Sequence, residues 1–214
     1  VSEVYPLNIT MSYSAIANNG ILNQPLAVNL IKDNNDLTIK EFSSESIEVA
    51  DQKEIFLLRD MMKSVIDNGT GGSLRWKYKF YSPMAGKTGT TNSKTDAWFI
   101  GFTPYIAIGI WVGMDDPQMK LGEKQYGSTA AMPIFANAVK EIYNLGNYYH
   151  LGKVIKINTR EDWDIPNGII EKNICEGTCC LGTDWCDSYK EYFIENNVPV
   201  EACQEYSNPL FRFK

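Results

Sequence analysis

Long apolar runs and a basic charge balance are both missing from this sequence. No stretch of about 18 consecutive apolar residues occurs, which is the length that a membrane-spanning helix needs. The 20 Lys and Arg residues stand against 26 Asp and Glu, for a net charge of -6. Nucleic-acid-binding proteins usually carry a basic face or stripe, so nucleic acid is not an expected partner. The chain begins Val-Ser-Glu with no Met and no signal peptide, so any export signal is expected upstream of it.

Histidine is nearly absent, and cysteine is confined to one region. All five cysteines lie between Cys175 and Cys203, and the single histidine, His150, lies well upstream. Zinc sites usually need paired C-x2-C spacing or histidine partners, and the spacing here is C-x3-C-C-x5-C-x16-C. We therefore expect at least one disulfide, as in proteins that fold outside the reducing cytosol, although metal binding and free thiols remain alternatives. Because five is an odd number, at least one thiol should stay unpaired.

The composition, with 44% hydrophobic and 12% aromatic residues, excludes a disordered chain and predicts a folded core. Helical spacing predicts a helix over residues 6–17 and another between Asp51, as N-cap, and Gly69. Alternating segments at 26–32 and 37–42 predict a hairpin. Three strands are expected at 84–91, 97–102 and 106–113. The apolar stripe expected for the second helix comprises Ile55, Leu58, Met61, Met62 and Val65.

A last helix is predicted over residues 130–143, capped by Ser128 or Thr129. Its apolar stripe would comprise Ala131, Ile134, Phe135, Ala138 and Ile142. An antiparallel sheet with helices packed on it belongs to the α+β class. Near residue 147 the chain becomes polar, aromatic and cysteine-bearing, so we predict one domain over residues 1–146 and a loop-rich extension over 147–214.

The first of the three strands contains Lys87-Thr88-Gly89-Thr90. An ordinary strand, with Gly89 at a bulge and Lys87 in solvent, is the plain interpretation. The chemical interpretation is that these residues resemble the K-T-G element of active-site serine enzymes, in which the glycine, here Gly89, leaves room for a peptide to lie along the strand edge. Lys87 then supplies positive charge, and a nearby hydroxyl holds a substrate carboxylate. A backbone N–H of the same strand can face the oxyanion formed when a serine attacks.

Glycines also cluster at Gly69-Thr70-Gly71-Gly72. A phosphate-binding loop is disfavoured there, because this segment follows a helix and is expected to precede none. The segment is predicted to be a loop.

The segments on both sides of the Lys-Thr-Gly motif are informative as well. Ala85-Gly86-Lys87-Thr88-Gly89-Thr90-Thr91-Asn92, followed by Asp96-Ala97-Trp98-Phe99-Ile100-Gly101-Phe102, closely resembles the transpeptidase domain of class A penicillin-binding proteins. Gly69-Thr70-Gly71 is similar to the family's lead-in to this strand. The segments 111–117 and 130–134 resemble the strand, turn and closing helix that follow, and the cysteine-bearing tail resembles the C-terminal extension.

This resemblance implies a fold and a function. The fold would be part of the penicillin-binding transpeptidase or serine β-lactamase-like fold. The whole protein would cross-link peptidoglycan stem peptides through a serine acyl-enzyme and would be acylated by β-lactam antibiotics. Lys87 would be catalytic, and Thr88, Gly89 and Thr90 would bind substrate, with the Thr90 backbone N–H facing the oxyanion. No cofactor or metal ion is implied, and the disulfide candidates are Cys175, Cys186 and Cys203.

The family's nucleophile motif does not occur in this sequence. No serine is followed three positions later by lysine, and none is followed two positions later by asparagine. The resemblance places these elements upstream, together with a glycosyltransferase domain and a membrane anchor at the extracytoplasmic face of the bacterial envelope. The remainder of the transpeptidase domain is therefore an expected partner. A non-catalytic module that binds wall peptides or β-lactams, and a β-lactamase-related hydrolase, remain alternatives.

The missing nucleophile generates a prediction for the 214-residue chain by itself. Acylation needs a hydroxyl activated by a neighbouring base, so labelled penicillin should not become covalently attached. Intact-mass spectrometry tests this, and a stable adduct would show that another side chain serves as nucleophile.

Overall fold

The structure is a computed structural model that describes residues 4–116, 119–150 and 153–203. The chain divides into two compact units between Asp164 and Ile165. The domain limit after residue 146 stays a prediction. Tyr148 and Trp163 belong to the first unit, where the Tyr148 hydroxyl donates to the carbonyl oxygen of Tyr105 and Trp163 Nε1 donates to that of Ala17.

A three-stranded antiparallel sheet organises the first unit. Its strands are β5 (Ala85–Thr90), β6 (Asp96–Phe102) and β7 (Ala107–Gly113), hydrogen-bonded in the order β5-β6-β7. Gly86 pairs with Gly101 and Thr90 with Ala97, without any shift in register. The three predicted strands are confirmed, and the α+β class with an antiparallel sheet is confirmed with them.

Helices cover both faces of this sheet. They are α1 (Pro6–Ala17), α2 (Gln52–Asp67), α3 (Ser73–Trp76) and α4 (Met132–Leu145), with a π-helical turn at Gly127–Ala131. The predicted N-cap of α2 is confirmed, because the Asp51 carboxylate accepts a hydrogen bond from the Lys53 N–H at 2.8 Å. The expectation that no helix follows the glycine cluster is wrong, since α3 begins directly after Gly72.

The predicted start of α4 is wrong, and of the predicted apolar stripe only Ala131 and Phe135 are buried. Ser128 and Thr129 do not cap it, because they lie inside the π-helical turn, and the Thr129 hydroxyl accepts the Tyr126 N–H at 2.8 Å. A π-helical turn contains more residues than an α-helical one, so it shifts the phase of the helix that follows. Ile134 is consequently 50% exposed. The buried residues of α4 are Met132, Phe135, Ala136, Val139 and Tyr143.

The two sheet faces carry separate contacts. On one face, Phe99 packs edge-to-face on Phe135 of α4 with ring centroids 4.8 Å apart. On the other face, Phe102 contacts Tyr13 of α1 and Trp163, at centroid distances of 6.3 and 5.8 Å. Helix α2 contributes to the packing on both faces. Ile66 belongs to the same buried cluster as Phe99, and Met62 belongs to that of Phe102. Its buried residues are Ile55, Phe56, Arg59, Met62 and Ile66, so the predicted stripe holds only for Ile55 and Met62.

Three small hairpin-like pairs complete the first unit. Strand β1 (Ile21–Asn23) pairs with β4 (Ser46–Glu48), and β2 (Leu30–Lys32) pairs with β3 (Thr38–Glu41), which confirms the predicted hairpin over a shorter length. Strand β8 (Asn147–His150) pairs with β9 (Lys153–Lys156). Pro117, in the segment compared with the family, lies outside the described residues, as do residues 1–3.

The second unit is built on one hairpin. Strand β10 (Ile169–Cys175) pairs with β11 (Ser188–Ile194), and a 3-10 turn follows at Glu195–Asn197. Cys175 and Cys186 form a disulfide, as two of the three candidates predicted. Cys203, the third candidate, carries a free thiol, as do Cys179 and Cys180. Across both units, none of the described helices has the length and apolar character needed to span a bilayer.

Arg59 joins three parts of the first unit from a fully buried position. Its side chain is 1% exposed, and Nη1 donates to the Ile16 carbonyl oxygen at 3.2 Å and to Asn19 Oδ1 at 2.8 Å. The guanidinium lies 4.8 Å from the ring centre of Trp163. Burial lowers the pKa of Arg59 to about 10, so the side chain stays charged at neutral pH.

Replacing Arg59 with Ala should therefore destabilise the chain strongly. The change leaves two acceptors without their donor and removes the packing against Trp163, so a loss of about 3 kcal/mol in the free energy of unfolding is expected. Urea denaturation provides the measurement. Ser64→Ala, on an exposed position of the same helix, is the control and should change stability by less than about 0.5 kcal/mol. Equal effects of the two substitutions would rule out the connecting role of Arg59.

Candidate active site

One edge of β5 has no partner strand among the described residues, because β6 pairs with the other edge. The Thr91 N–H donates to the Asp96 carbonyl oxygen at 3.2 Å, so the N–H of Thr91 points toward β6. Backbone N–H groups of successive strand residues point in opposite directions. The N–H groups of Gly86, Thr88 and Thr90 therefore point to the unpaired edge.

Thr90 presents two donors at this edge. Its hydroxyl oxygen accepts the Gly127 N–H at 3.2 Å, and its side chain is exposed. A hydroxyl can accept and donate at the same time, so the Thr90 proton remains available to an anionic group. The backbone N–H of Thr90 is the second donor.

Gly127 fixes the π-helical turn against the sheet. A Cβ atom at this position would clash with the carbonyl oxygen of Trp98 and would lie 2.7 Å from that of Gly89. Only glycine allows this close approach, which brings the Gly127 N–H to the Thr90 hydroxyl. Gly127 could not be identified from the sequence, since nothing in its spacing indicates that it touches β5.

Thr88 meets a hydroxyl from another part of the chain. The Oγ1 atoms of Thr88 and Thr70 are 2.9 Å apart, and Thr70 lies in the loop between α2 and α3. A cavity of about 420 Å³ opens beside Thr70. Its polar and aromatic lining includes Thr70, Ser73, Trp76, Lys77, Tyr78 and Ser128. The sequence identifies Thr70 only as part of the lead-in to the strand and predicts no role for it.

Lys87 is exposed, and its Nζ donates to the carbonyl oxygen of Thr88 at 2.8 Å. No carboxylate forms an ion pair with Lys87 within residues 4–116, 119–150 and 153–203. The ammonium group thus lies near the unpaired edge without a neutralising partner in that part of the chain.

Gly89 keeps the regular pairing of β5, so the bulge of the plain interpretation is wrong. A Cβ atom at Gly89 would lie 3.1 Å from the Cβ atom of Trp98. That distance is tighter than ordinary van der Waals contact, so a side chain here would press on the neighbouring strand. The glycine preserves the flat edge that an added strand needs.

Asp96 anchors the turn that connects β5 to β6. Its carboxylate accepts hydrogen bonds from the Thr95 hydroxyl at 2.7 Å and from Trp111 Nε1 at 2.8 Å. The hydrogen bond from Thr95 is the main cause that lowers the pKa of Asp96. The Asp96 carboxylate is therefore charged at neutral pH and is held by hydrogen bonds within the turn, so it is not a candidate for a catalytic acid or base.

Two family models match this chain, each over a different segment. The penicillin binding protein transpeptidase domain matches residues 3–140, and the C-terminal domain of penicillin-binding protein 1A matches residues 165–208. This chain belongs to the penicillin-binding protein transpeptidase family.

Relatives in the family support this membership and show how much of their length the chain covers. Penicillin-binding protein 1A of Aquifex aeolicus is 32% identical over 203 residues, and that of Clostridium tetani is 30% identical over 217 residues. These matches cover 95% and 99% of this chain but 26% of each relative. The chain therefore spans about a quarter of the length of these relatives.

A solved structure shows the same fold. Penicillin-binding protein 1A from Haemophilus influenzae aligns with a TM-score of 0.79 at 24% identity, over 93% of this chain and 33% of that one. The D,D-transpeptidase domain of a peptidoglycan glycosyltransferase from Eggerthella lenta aligns with a TM-score of 0.54 over 67% of this chain. The three-stranded sheet and its helices thus form part of the penicillin-binding fold.

The position of Gly127 generates a prediction about the site's stability. Gly127→Ala should lower the free energy of unfolding by about 1–3 kcal/mol, because the added methyl group pushes the π-helical turn away from β5. Gly122→Ala is the matched control, since a Cβ atom there would meet only the Gln125 side chain, at 3.9 Å. Thermal unfolding of both variants provides the measurement. If Gly127→Ala is as stable as the control, the turn does not depend on this contact.

Proposed function

We propose that this chain supplies the substrate-binding wall of a peptidoglycan DD-transpeptidase whose nucleophilic serine lies upstream of it. The observation that carries the proposal is the unpaired edge of β5. There the Thr90 N–H and hydroxyl, the Thr88 hydroxyl and the Lys87 ammonium are available to one ligand. These groups suit a peptide that ends in a carboxylate and reacts at a neighbouring carbonyl.

The peptide would bind along β5 as an added strand. Main-chain hydrogen bonds to a free sheet edge give such binding its affinity. The terminal carboxylate of the stem peptide would accept hydrogen bonds from the Thr88 and Thr90 hydroxyls. Thr70 and Gly127 would orient these hydroxyls, because each is already hydrogen-bonded to one of them.

The chemical step is acyl transfer. The upstream serine oxygen would attack the carbonyl carbon of the D-Ala-D-Ala peptide bond, and the carbonyl oxygen would become an oxyanion. The Thr90 N–H would donate to that oxyanion, and a preorganised donor of this kind stabilises a transition state where the charge develops. Breaking the C–N bond would release the terminal D-Ala, and an amine of a second stem peptide would then take the acyl group from the serine.

Lys87 would act through its charge at the same edge. Its ammonium would favour the substrate carboxylate and the developing oxyanion, since charge-assisted hydrogen bonds are about twice as strong as neutral ones. β-Lactams would bind to the same groups, because they also present a carboxylate beside a reactive carbonyl.

The complete protein would also carry a glycosyltransferase domain and would act at the extracytoplasmic face of the bacterial envelope, held by an N-terminal membrane segment.

The proposal predicts the behaviour of two variants in a protein that includes the upstream nucleophile. Lys87→Ala removes a charge-assisted contact worth about 1.5–3 kcal/mol, so acylation by penicillin should slow by roughly 10- to 100-fold or more. Thr90→Val keeps the β-branched shape but loses the hydroxyl, at a cost of about 1–2 kcal/mol in the same reaction. The second-order acylation rate and the melting midpoint are measured together.

Matched controls exist on β3, where the same substitutions can be made at exposed positions. Thr38→Val and Lys40→Ala should leave acylation unchanged. If Lys87→Ala and Thr90→Val stay within about twofold of the parent, a difference below 0.5 kcal/mol, the assignment of β5 is wrong. A non-catalytic binding module predicts instead that penicillin binds reversibly and leaves no adduct on the parent protein.

A further inference from the structure

The segment after β11 returns to the hairpin loop of the second unit. Leu181 forms an antiparallel bridge with Ile174 and a parallel bridge with Ala202. The Leu181 N–H donates to the Glu201 carbonyl oxygen at 2.9 Å, and the Cys203 N–H donates to the Leu181 carbonyl oxygen at 3.2 Å. These two hydrogen bonds hold Cys203 close to Cys180, the residue that precedes Leu181.

Cys180 and Cys203 are neighbours on the two paired segments, and the interaction with the Cys203 side chain is the main cause that raises the pKa of the Cys180 thiol. Thr178 ties the same two residues together, because its hydroxyl accepts the Cys180 N–H at 3.3 Å and lies 3.3 Å from Cys203 Sγ. Cys179 differs from both in being exposed.

We infer that Cys180 and Cys203 form a second disulfide, which leaves Cys179 as a single free thiol. Formation would proceed by exchange with a small disulfide oxidant. One cysteine thiolate attacks the oxidant and releases its first thiol, and the second cysteine then attacks the mixed disulfide and releases the other. The two cysteines lose two protons and two electrons in total, which reduce the oxidant to two thiols.

The surroundings favour this step. The neighbouring Cys175–Cys186 disulfide already belongs to the folded unit, and disulfides persist in oxidising compartments. That bond closes the loop between β10 and β11 but does not reach residues 198–203. Hydrogen bonds at Leu181 hold the returning segment, so a Cys180–Cys203 bond would add a covalent link where none exists.

The test uses the 214-residue chain treated with oxidised glutathione, followed by alkylation of remaining thiols and peptide mapping. We expect the number of alkylated cysteines to fall from three to one, with the label on Cys179. A peptide pair linked through Cys180 and Cys203 should appear at the same time. The reaction should also accelerate as the pH rises, because the thiolate is the attacking form and the Cys180 pKa is raised.

Two single variants distinguish this pairing from the others. Cys179→Ser should still form the linked pair and should then contain no alkylated cysteine. Cys180→Ser should lose the pair while keeping Cys175–Cys186. The inference is overturned if Cys180 and Cys203 both stay alkylated after oxidation, or if the linked pair joins Cys179 to Cys203. It is also overturned if glutathione remains attached to either residue as the stable product.

Discussion

The pairing of β5 on one side only is the constraint on which the candidate site depends. An antiparallel strand sends the N–H groups of successive residues to opposite edges. Because every second N–H group of β5 points toward β6, the N–H groups of Thr88 and Thr90 point to the unpaired edge. The uninterrupted register through Gly89 keeps this alternation in phase along the motif. A bulge in β5 would turn one of these groups toward the neighbouring strand, and the edge would no longer present them together.

Packing on the two sheet faces holds that edge in place. The π-helical turn lies against Gly89 and Trp98, where only Gly127 fits, and it hydrogen-bonds the Thr90 hydroxyl. The loop after α2 brings Thr70 to Thr88. Arg59, buried in α2, ties that helix to the end of α1 through Ile16 and Asn19. The polar groups at the edge are thus oriented by hydrogen bonds from separate elements, as preorganised donors require.

Local sequence signals predicted the three longer helices and the three-stranded sheet but not α3, and tertiary contacts decided the rest. Helix α1, the Asp51 cap and the three strands follow from turn residues, periodicity and capping chemistry, which act over a few positions. The buried face of α4 depends on the π-helical turn before it, and no residue pattern indicated that turn. The contacts of Thr70 and Gly127 join residues that are distant in sequence. Among five cysteines, spacing alone could not select Cys175 and Cys186 over Cys203, whereas the β10–β11 register brings the first two together.

Amide hydrogen exchange resolved to single residues tests the central role of the β5 edge most directly. The measurement compares the free and penicillin-acylated forms of a protein that contains both this chain and the upstream nucleophile. Acylation should strongly slow exchange at the Thr90 N–H, which points to the unpaired edge and would gain a partner. The Thr91 N–H, already bonded to Asp96, should change little. Equal exchange at Thr90 in the two forms would contradict the account, because it would show that the bound substrate analogue does not pair with β5.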